Sequence, residues 1–352
     1  MKKKIELAVT TTIIAVSLLA CGRSMPTSTS TGSATELSSE NHVGEEENTP
    51  EYTLKLGHTL AVDDNLNIAA EMFADTVYEK TGGAVKIEVY PAGQLGSTSE
   101  EAEAVGSGYQ DIFADAINTL DGYNSLADVE CYPFLFSSSD NLIAFLNSDL
   151  SQELFNEIGG EEFKILGAQF RGARYLQTTK EVRCLDDLKG LKLRTPTSSV
   201  MLRPWEILGA TTTPMDFTEV YTGLQQGTIE GQENPLGTSF ASGFAEVEKY
   251  VIETKHVYGI MAFIFNYDVF NELPEQYQKV IEEAAKEAAD WRTQTEIENE
   301  QKYIEQFKEA GLEYIVPKDL ENWKDTLVEP MREEFPELQP WVDKINSFQD
   351  SI

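Results

Sequence analysis

Near its C-terminal end the chain carries a long, uninterrupted helical pattern, which restricts the possible architectures more than any other segment does. From about Pro274 to Ala310, apolar residues recur at helical spacing without an internal glycine or proline. This predicts one helix of about 35 residues, roughly 50 Å long at the usual rise per residue. One small lobe does not need such a length, so the helix is expected to lie across two lobes and fix their spacing. Two helices with a kink near Thr293 to Thr295 are the alternative.

The chain between Glu51 and the long helix alternates strand and helix patterns. TLKLGHT and VKIEVYPAGQLG have the spacing of strands, and NLNIAAEMFADTVYEK between them has that of an amphipathic helix. FKILGAQFRGARYLQTT predicts a long strand that breaks at Gly172, and a second alternating run begins at GLKLRTP. Such repetition is typical of α/β domains with a largely parallel sheet. The apolar positions of the first helix are Ile68, Met72, Phe73 and Val77.

The N-terminus has the pattern of a secretory signal. Three lysines precede an apolar run from about Leu7 to Ala20, which is too short to span a bilayer comfortably. The residues LLAC, 18–21, resemble the bacterial lipoprotein cleavage box, in which Cys21 would be lipidated. We therefore predict a signal peptide at residues 1–20 and a lipidated tether at residues 21–50, disordered because it is rich in Ser, Thr and acids. An ordinary secretory signal that merely ends near a cysteine is the alternative.

The formal net charge of −33 at pH 7 argues against nucleic acid and against anionic membrane surfaces as partners. An anion can bind such a chain only through local cations that overcome the acidic background. Besides Cys21 there are only two cysteines, Cys131 and Cys184. Outside the cytoplasm they could form a disulfide, or they could remain separate thiols.

The folded part offers few groups for catalysis. It holds two histidines, His58 and His256, and none of the motifs that mark zinc proteases, serine hydrolases, P-loops or dinucleotide-binding folds. Adjacent acids such as Asp63 and Asp64 are expected by chance among 60 acidic residues. The sequence therefore favours a binding protein over an enzyme and predicts no cofactor and no metal.

Three arginines lie where predicted strands end. Arg171 and Arg174 flank Gly172, and Arg194 stands before a Thr-Pro pair. A guanidinium can give two parallel hydrogen bonds to a carboxylate, and ligands of open α/β sheets bind at strand ends. Each arginine therefore either meets an anionic ligand or pairs with one of the many acids. GQENP, 231–235, predicts a turn whose polar side chains either serve the turn alone or face a pocket.

In order and spacing, YPAGQLG, RGAR, GLKLRTP, PMDFTEVYTGLQQGTIEGQENP and LPEQYQKVIEEAA resemble the DctP-type substrate-binding proteins of tripartite ATP-independent periplasmic (TRAP) transporters. The resemblance covers essentially the whole mature region. It implies an α/β, two-lobed, periplasmic-binding-protein-like fold with crossing strands and a long lobe-spanning helix. Such proteins close over an acidic organic ligand and deliver it to membrane permease subunits. We expect lobe I at 51–172 and 260–299, and lobe II at 173–259 and 300–352.

The resemblance also implies site residues. Arg194 falls on the family arginine that clamps the ligand carboxylate, and Arg174 on a second arginine that contacts the same ligand. Asn234 matches the asparagine of GQENP, and Phe217 matches an aromatic position beside the ligand. Many members read RVPN where this chain reads RTPT, so Thr197 offers one hydroxyl in place of an asparagine amide.

Asp115 matches a position where a polar or acidic side chain faces the cleft. A carboxylate accepts hydrogen bonds from hydroxyls but cannot accept from a second carboxylate at neutral pH. Asp115 therefore favours a sugar acid, such as a hexuronate, over a plain C4-dicarboxylate. His58, Thr59 and Gln94, which follow the first two strands, are further candidates for hydroxyl contacts.

The sequence thus predicts a monomeric solute-binding lipoprotein, held through Cys21 on the outer face of the cell membrane, or in the periplasm if an outer membrane exists. Its partners are a small carboxylate and TRAP permease subunits. A ligand-sensing subunit of a signalling system and a secreted enzyme acting on acidic sugars are the alternatives.

Overall fold

The computed structural model describes residues 49–352, so the predicted signal peptide, Cys21 and almost all of the predicted tether lie outside the described residues. The strands are β1 (Tyr52–Gly57), β2 (Val85–Tyr90), β3 (Ile112–Ala116), β4 (Phe163–Thr178), β5 (Lys192–Thr195), β6 (Thr211–Pro214), β7 (Gly231–Pro235), β8 (Tyr250–Ile252), β9 (Tyr258–Asn266) and β10 (Glu313–Ile315). The α-helices are α1 (Asn65–Lys80), α2 (Thr98–Gly106), α3 (Ser139–Leu146), α4 (Asp149–Gly159), α5 (Ser199–Ile207), α6 (Val220–Gln226), α7 (Leu236–Ala241), α8 (Tyr267–Glu272), α9 (Glu275–Glu309), α10 (Leu320–Glu334) and α11 (Gln339–Gln349). Short 3₁₀ turns lie at Ile117–Leu120, Ser125–Cys131, Leu185–Leu188, Phe217–Glu219 and Phe244–Glu246.

The sheet joins two parallel groups of strands through an antiparallel centre. Its order is β2-β1-β3-β9-β4-β7-β5-β6, and β8 connects β10 to β4. At one end β1 runs parallel to β2 and β3, and at the other β5 runs parallel to β6 and β7. Between them, β9 pairs antiparallel with both β3 and β4. The parallel groups are those that the two alternating runs of the sequence predict, so the α/β fold class is confirmed.

Strand β4 crosses between the two parallel groups. Its first part, up to Ala173, pairs with β9, and its last part, from Arg174, pairs with β7 and β8. The register shifts between Phe170 and Ala173, and Gly172 in this shift has φ +100°. The predicted break at Gly172 is therefore a β-bulge within a continuous strand, which lets β4 bend without losing its pairing on either side. The division into lobes at residues 172/173, 259/260 and 299/300 stays a prediction.

Helix α9 is one continuous helix of 35 residues, which confirms the prediction of a single helix and shows the kinked alternative to be wrong. Its first half contributes Ile281 and Ala285 to an apolar cluster with β1, β9 and α1. Its second half contributes Ile304 and Phe307 to another cluster, with β8 and α7. The helix therefore joins two separate apolar clusters along its length. Among residues 49–352 no helix, α9 included, has the length and apolarity needed to cross a membrane.

Helix α9 passes close to the sheet at Gly167 of β4. A Cβ added there would lie 2.6 Å from the carbonyl oxygen of Ala285, and the φ of Gly167 is +58°. We therefore expect Gly167→Ala to lower the free energy of unfolding by about 2–3 kcal/mol, because backbone strain and overpacking act together. Urea denaturation measures this loss.

Gly227 supplies the control for this substitution. Its φ is +70°, but an added Cβ would meet nothing within 4 Å. Gly227→Ala should therefore lower the free energy of unfolding through backbone strain alone, by about 1–2 kcal/mol. Equal losses for the two variants would show that the contact with Ala285 has no energetic weight.

One detail of the sequence prediction differs from the structure. In α1 the predicted core residue Ile68 is 38% exposed, whereas Ala69, Ala70 and Ala74 are buried together with Phe73 and Val77. Small alanines let α1 approach α9 and β2 closely, which turns the larger Ile68 towards solvent. Of the two alternatives that the sequence left open for the cysteines, the structure shows separate thiols, since Cys131 and Cys184 are both free.

Candidate ligand-binding site

A cavity of about 250 Å³ lies where β1, β3, β5 and β7 end near the start of α2. Parallel strands that end at one edge bring their terminal side chains together, which is why chain segments far apart in sequence share this wall. Most of the predicted site residues line the cavity. They are Thr59, Asp115, Arg174, Arg194, Thr197, Phe217 and Asn234.

Arg194, on β5, is 3% exposed. Its Nε and Nη2 both donate to the carbonyl oxygen of Met215, at 2.9 and 2.6 Å. No described acidic side chain forms an ion pair with it. Burial lowers the pKa of Arg194 to about 10, so the guanidinium is still charged at neutral pH. Its remaining N–H groups are therefore available to an anion in the cavity.

Arg174 is bound differently, because it has a carboxylate partner within the protein. Its Nε and Nη2 donate to the two carboxylate oxygens of Glu233, and Nη2 also donates to the Glu233 carbonyl oxygen at 2.5 Å. The Glu233 side chain is fully buried. The ring of His256 lies beside it, with Nε2 3.0 Å from Oε2 of Glu233 and Nδ1 2.8 Å from Oγ1 of Thr254. Arg174 thus lines the cavity and at the same time belongs to a buried ionic network.

The charge state of this network follows from its contacts. Burial alone would raise the pKa of Glu233, but Arg174 and the hydrogen bond from His256 outweigh it and lower that pKa to about 2. Burial lowers the pKa of His256 despite the neighbouring carboxylate. At neutral pH the network therefore contains an ionised Glu233, a charged Arg174 and a neutral His256 that donates through Nε2. The sequence analysis did not identify Glu233 as the partner of Arg174.

GQENP forms strand β7 and not the predicted turn. All five residues are buried, and the strand pairs with β4 on one side and β5 on the other. Its polar side chains have partners: Asn234 Nδ2 donates to Gln232 Oε1 at 2.7 Å, and Gln232 Nε2 donates to Glu248 Oε1 at 3.1 Å. The motif therefore builds a polar strand in the interior, with Asn234 at its cavity end.

The opposite wall of the cavity presents hydrogen-bond acceptors. Asp115, on β3, accepts from Thr98 Oγ1 at 3.1 Å through Oδ2 and from the Ala116 N–H at 2.7 Å through Oδ1. Oγ1 of Thr59 lies 3.3 Å from Oγ1 of Thr98. The cavity thus has a cationic side at Arg194 and an acidic, hydroxyl-rich side at Asp115.

Contacts across the cavity hold its two walls together. Phe217 packs against the apolar cluster of β1, β9 and α1 and also against the cluster that contains Phe244. Ser198 Oγ donates to Asp128 Oδ1 at 2.7 Å. Burial raises the pKa of Asp128 to about 7, although the bond from Ser198 acts in the opposite direction. Thr197, next to Ser198, is exposed and lies at the cavity edge.

The structure places His58 and Gln94 away from the cavity wall. His58 is 1% exposed, and its Nε2 lies 3.1 Å from Oδ1 of Asn67 on α1. Gln94 is exposed in the turn after β2. Their roles stay predictions, and the local pattern that suggested them, a polar residue just after a strand, does not determine which way a side chain turns. Among residues 49–352 no group of three or more His, Cys, Asp or Glu side chains is arranged to hold a metal ion.

A buried acid behind the cavity makes stability depend on pH. Glu101, on α2, is 0% exposed and accepts from Gln110 Nε2 at 3.2 Å. Burial raises the pKa of Glu101 from its ordinary 4.5 to about 8. Between these two pH values the folded protein keeps the proton of Glu101, whereas the unfolded chain releases it. The contribution of Glu101 to the free energy of unfolding is therefore complete below about pH 4.5 and is lost as the pH rises to about 8.

We expect Glu101→Gln to flatten the decline in the free energy of unfolding between pH 5 and pH 8. Urea titrations at a series of pH values measure the slope. Glu79→Gln, on an exposed side chain of α1, is the control and should keep the wild-type slope. An unchanged slope in Glu101→Gln would show that Glu101 is ionised in the folded protein.

Known proteins resemble this chain over most of its length. The profile of the DctP family, bacterial extracellular solute-binding protein family 7, matches residues 56–337. The 2,3-diketo-L-gulonate-binding periplasmic protein YiaO of Escherichia coli is 30% identical over 284 residues, 80% of this chain and 87% of YiaO. The C4-dicarboxylate-binding protein DctB of Bacillus subtilis is 28% identical over 266 residues, 75% of this chain and 74% of DctB.

A solved structure shows the same fold. A TRAP periplasmic solute-binding protein of Anaerococcus prevotii, crystallised with bound D-glucuronate, superposes with a TM-score of 0.80 at 27% identity. The superposition covers 85% of this chain and 99% of that one. The two-lobed α/β architecture predicted from the sequence is confirmed.

Proposed function

Because the chain belongs to the DctP family of bacterial extracellular solute-binding proteins, we propose that it captures a small carboxylate and delivers it to a TRAP permease. A sugar acid such as a hexuronate is the preferred ligand class, and a C4-dicarboxylate comes next. Family members are binding proteins, so the chain is not an enzyme, and the alternative of a secreted enzyme is excluded.

One observation carries this proposal, the position of Arg194. A buried, charged guanidinium without an ion pair to any described residue lies on the cavity wall. Desolvation of an unpaired charge is costly, and a ligand carboxylate supplies the missing counter-charge in a geometry that a guanidinium matches. The cationic side of the cavity is therefore where the ligand carboxylate binds.

The acidic side of the cavity supports a hydroxylated ligand. Asp115 accepts from Thr98 and can accept from ligand hydroxyls, whereas it would repel a second carboxylate. The relatives agree in part, since YiaO is named for a gulonate derivative and the Anaerococcus protein holds D-glucuronate. DctB is named for binding C4-dicarboxylates, which supports these acids as the second ligand class.

Capture proceeds through closure of the two lobes. A carboxylate held by Arg194, with its hydroxyls held on the Asp115 side, makes more contacts when the lobes are closed than when they are open. The ligand therefore shifts the equilibrium towards the closed state by its difference in affinity for the two. Phe217 supports this, because it touches apolar clusters on both sides of the cavity.

A lipid on Cys21 anchors the protein, as a monomer, outside the cytoplasmic membrane. The support is the LLAC pattern at residues 18–21. A Cys21→Ser chain should leave the membrane fraction, and its retention there at wild-type yield would contradict the anchor.

A thermal-shift screen of the mature chain against organic acids tests the function. A ligand at about 100 times its Kd adds about 2.7 kcal/mol of stability, which is easily measured as a rise in Tm. We expect hexuronates or aldonates to raise Tm most, C4-dicarboxylates less, and neutral hexoses not at all. Stabilisation by a neutral sugar and by no acid would overturn the proposal.

A further inference from the structure

A third arginine, Arg171, also lines the cavity. It lies in the β-bulge of β4, between Phe170 and Ala173, where the register with β9 shifts. Bulges commonly redirect a side chain. Across the sheet, a Cβ added to Gly259 would lie 2.6 Å from Cγ and Cδ of Arg171. The glycine on β9 and the bulge on β4 together make room for this one side chain.

Arg171 has no polar partner within the described part of the chain. It is 6% exposed, it forms no ion pair or side-chain hydrogen bond with residues 49–352, and its Nε is wholly buried without an acceptor. Burial lowers the pKa of Arg171 to about 10, and Arg174 adds to this, while Asp115 and Glu130 act in the opposite direction. The side chain is therefore charged at neutral pH.

Arg171 differs from the other two arginines of the cavity in having no hydrogen-bond acceptor among the described residues. Arg174, three residues further along the same strand, has its charge balanced by Glu233, which also accepts hydrogen bonds from its Nε and Nη2. Arg194 donates hydrogen bonds to the carbonyl oxygen of Met215. A buried guanidinium without acceptors lowers stability by several kcal/mol. Acceptors for Arg171 must therefore come from the contents of the cavity.

We propose that Arg171 is a ligand-binding residue that donates hydrogen bonds to oxygen atoms of the ligand other than the carboxylate held by Arg194. This inference rests on the proposed function. Ligand hydroxyls and a second carboxylate both supply such oxygens, and the neighbouring charges decide between them. A hydroxyl can accept from Arg171 and donate to Asp115, whereas a carboxylate can only accept and is repelled by Asp115. Arg171 and Asp115 together therefore recognise hydroxyl groups along the ligand.

Calorimetric titration of the mature chain with D-glucuronate and with succinate tests this assignment. Arg171→Met keeps an unbranched apolar side chain and removes the charge and the donors. We expect it to weaken D-glucuronate binding about 10- to 100-fold, as for loss of hydrogen bonds from a charged group. Succinate should be weakened less, and Arg171→Lys should recover part of the affinity for D-glucuronate. Arg183→Met, on an arginine that is 41% exposed, is the matched control and should bind like the wild type.

The ligand-free variant separates a binding role from a structural one. Since Arg171 has no described partner to lose, the Tm of ligand-free Arg171→Met should equal or exceed that of the wild type. A marked drop in that Tm, or unchanged D-glucuronate affinity in a wild-type chain that binds it, overturns the inference and leaves the proposed function standing. A larger loss for succinate than for D-glucuronate overturns the hydroxyl assignment. If the wild-type chain binds no acid at all, the proposed function fails first and this inference fails with it.

Discussion

Arg194→Ala should weaken binding of the carboxylate ligand by about 3 kcal/mol or more, which is at least about 100-fold in Kd. The ligand carboxylate would enter the same dry cavity but lose its paired hydrogen bonds and its counter-charge. Stability of the ligand-free protein should change little, because Arg194 bonds only to the Met215 carbonyl among the described residues. Isothermal titration with the tightest acid from the thermal-shift screen measures the loss.

Two further variants sharpen this test. Arg194→Lys keeps the charge but cannot reproduce the planar fork, so it should also bind more weakly than the wild type. Arg332→Ala, at a side chain 56% exposed, should bind normally. If Arg194→Ala bound the ligand within tenfold of the wild-type affinity, Arg194 would not be the residue that binds the carboxylate.

The second large effect is expected on stability, at Glu233. Glu233→Gln keeps the shape of the side chain but leaves the buried charge of Arg174 without a counter-ion and His256 without its carboxylate acceptor. Removing one partner of a buried ion pair lowers the free energy of unfolding by about 3–5 kcal/mol. Urea denaturation at pH 7, where wild-type Glu233 is ionised, measures the loss.

Asp290→Asn on α9 is the control for Glu233→Gln. Asp290 pairs with Lys286 in an exposed pair, with side chains 63% and 64% accessible. Such pairs contribute little, so the stability should stay close to that of the wild type. A similar small change in Glu233→Gln would show that Arg174 finds another acceptor, for example water in the cavity.

The sequence predicted the features that depend on local pattern. The 35-residue α9 follows from a helical period without glycine or proline, and both parallel groups follow from alternating strands and helices. The cavity position of Arg194 follows from its place at the end of β5. In each case the residues that determine the feature are neighbours in the chain.

The features that sequence analysis missed depend on partners far away in the chain. GQENP resembles a turn because three polar residues in succession seldom lie inside a sheet, yet Glu233 is neutralised by Arg174, 59 residues earlier. Ile68 is exposed because α1 buries its alanines instead, in one cluster with residues of α9 more than 200 residues later. Arg171 drew attention only as one of three strand-end arginines, since its lack of a partner is a property of the whole interior.

The antiparallel centre of the sheet also sets the order in which the protein can fold. Strand β3 has β1 on one side and β9 on the other, and β9 begins only at Tyr258. A chain that emerges N-terminus first therefore cannot pair the second edge of β3 until most of its length is available. Such non-local pairing slows folding. For a member of an extracellular protein family, this delay favours translocation of the chain across the membrane in an unfolded state.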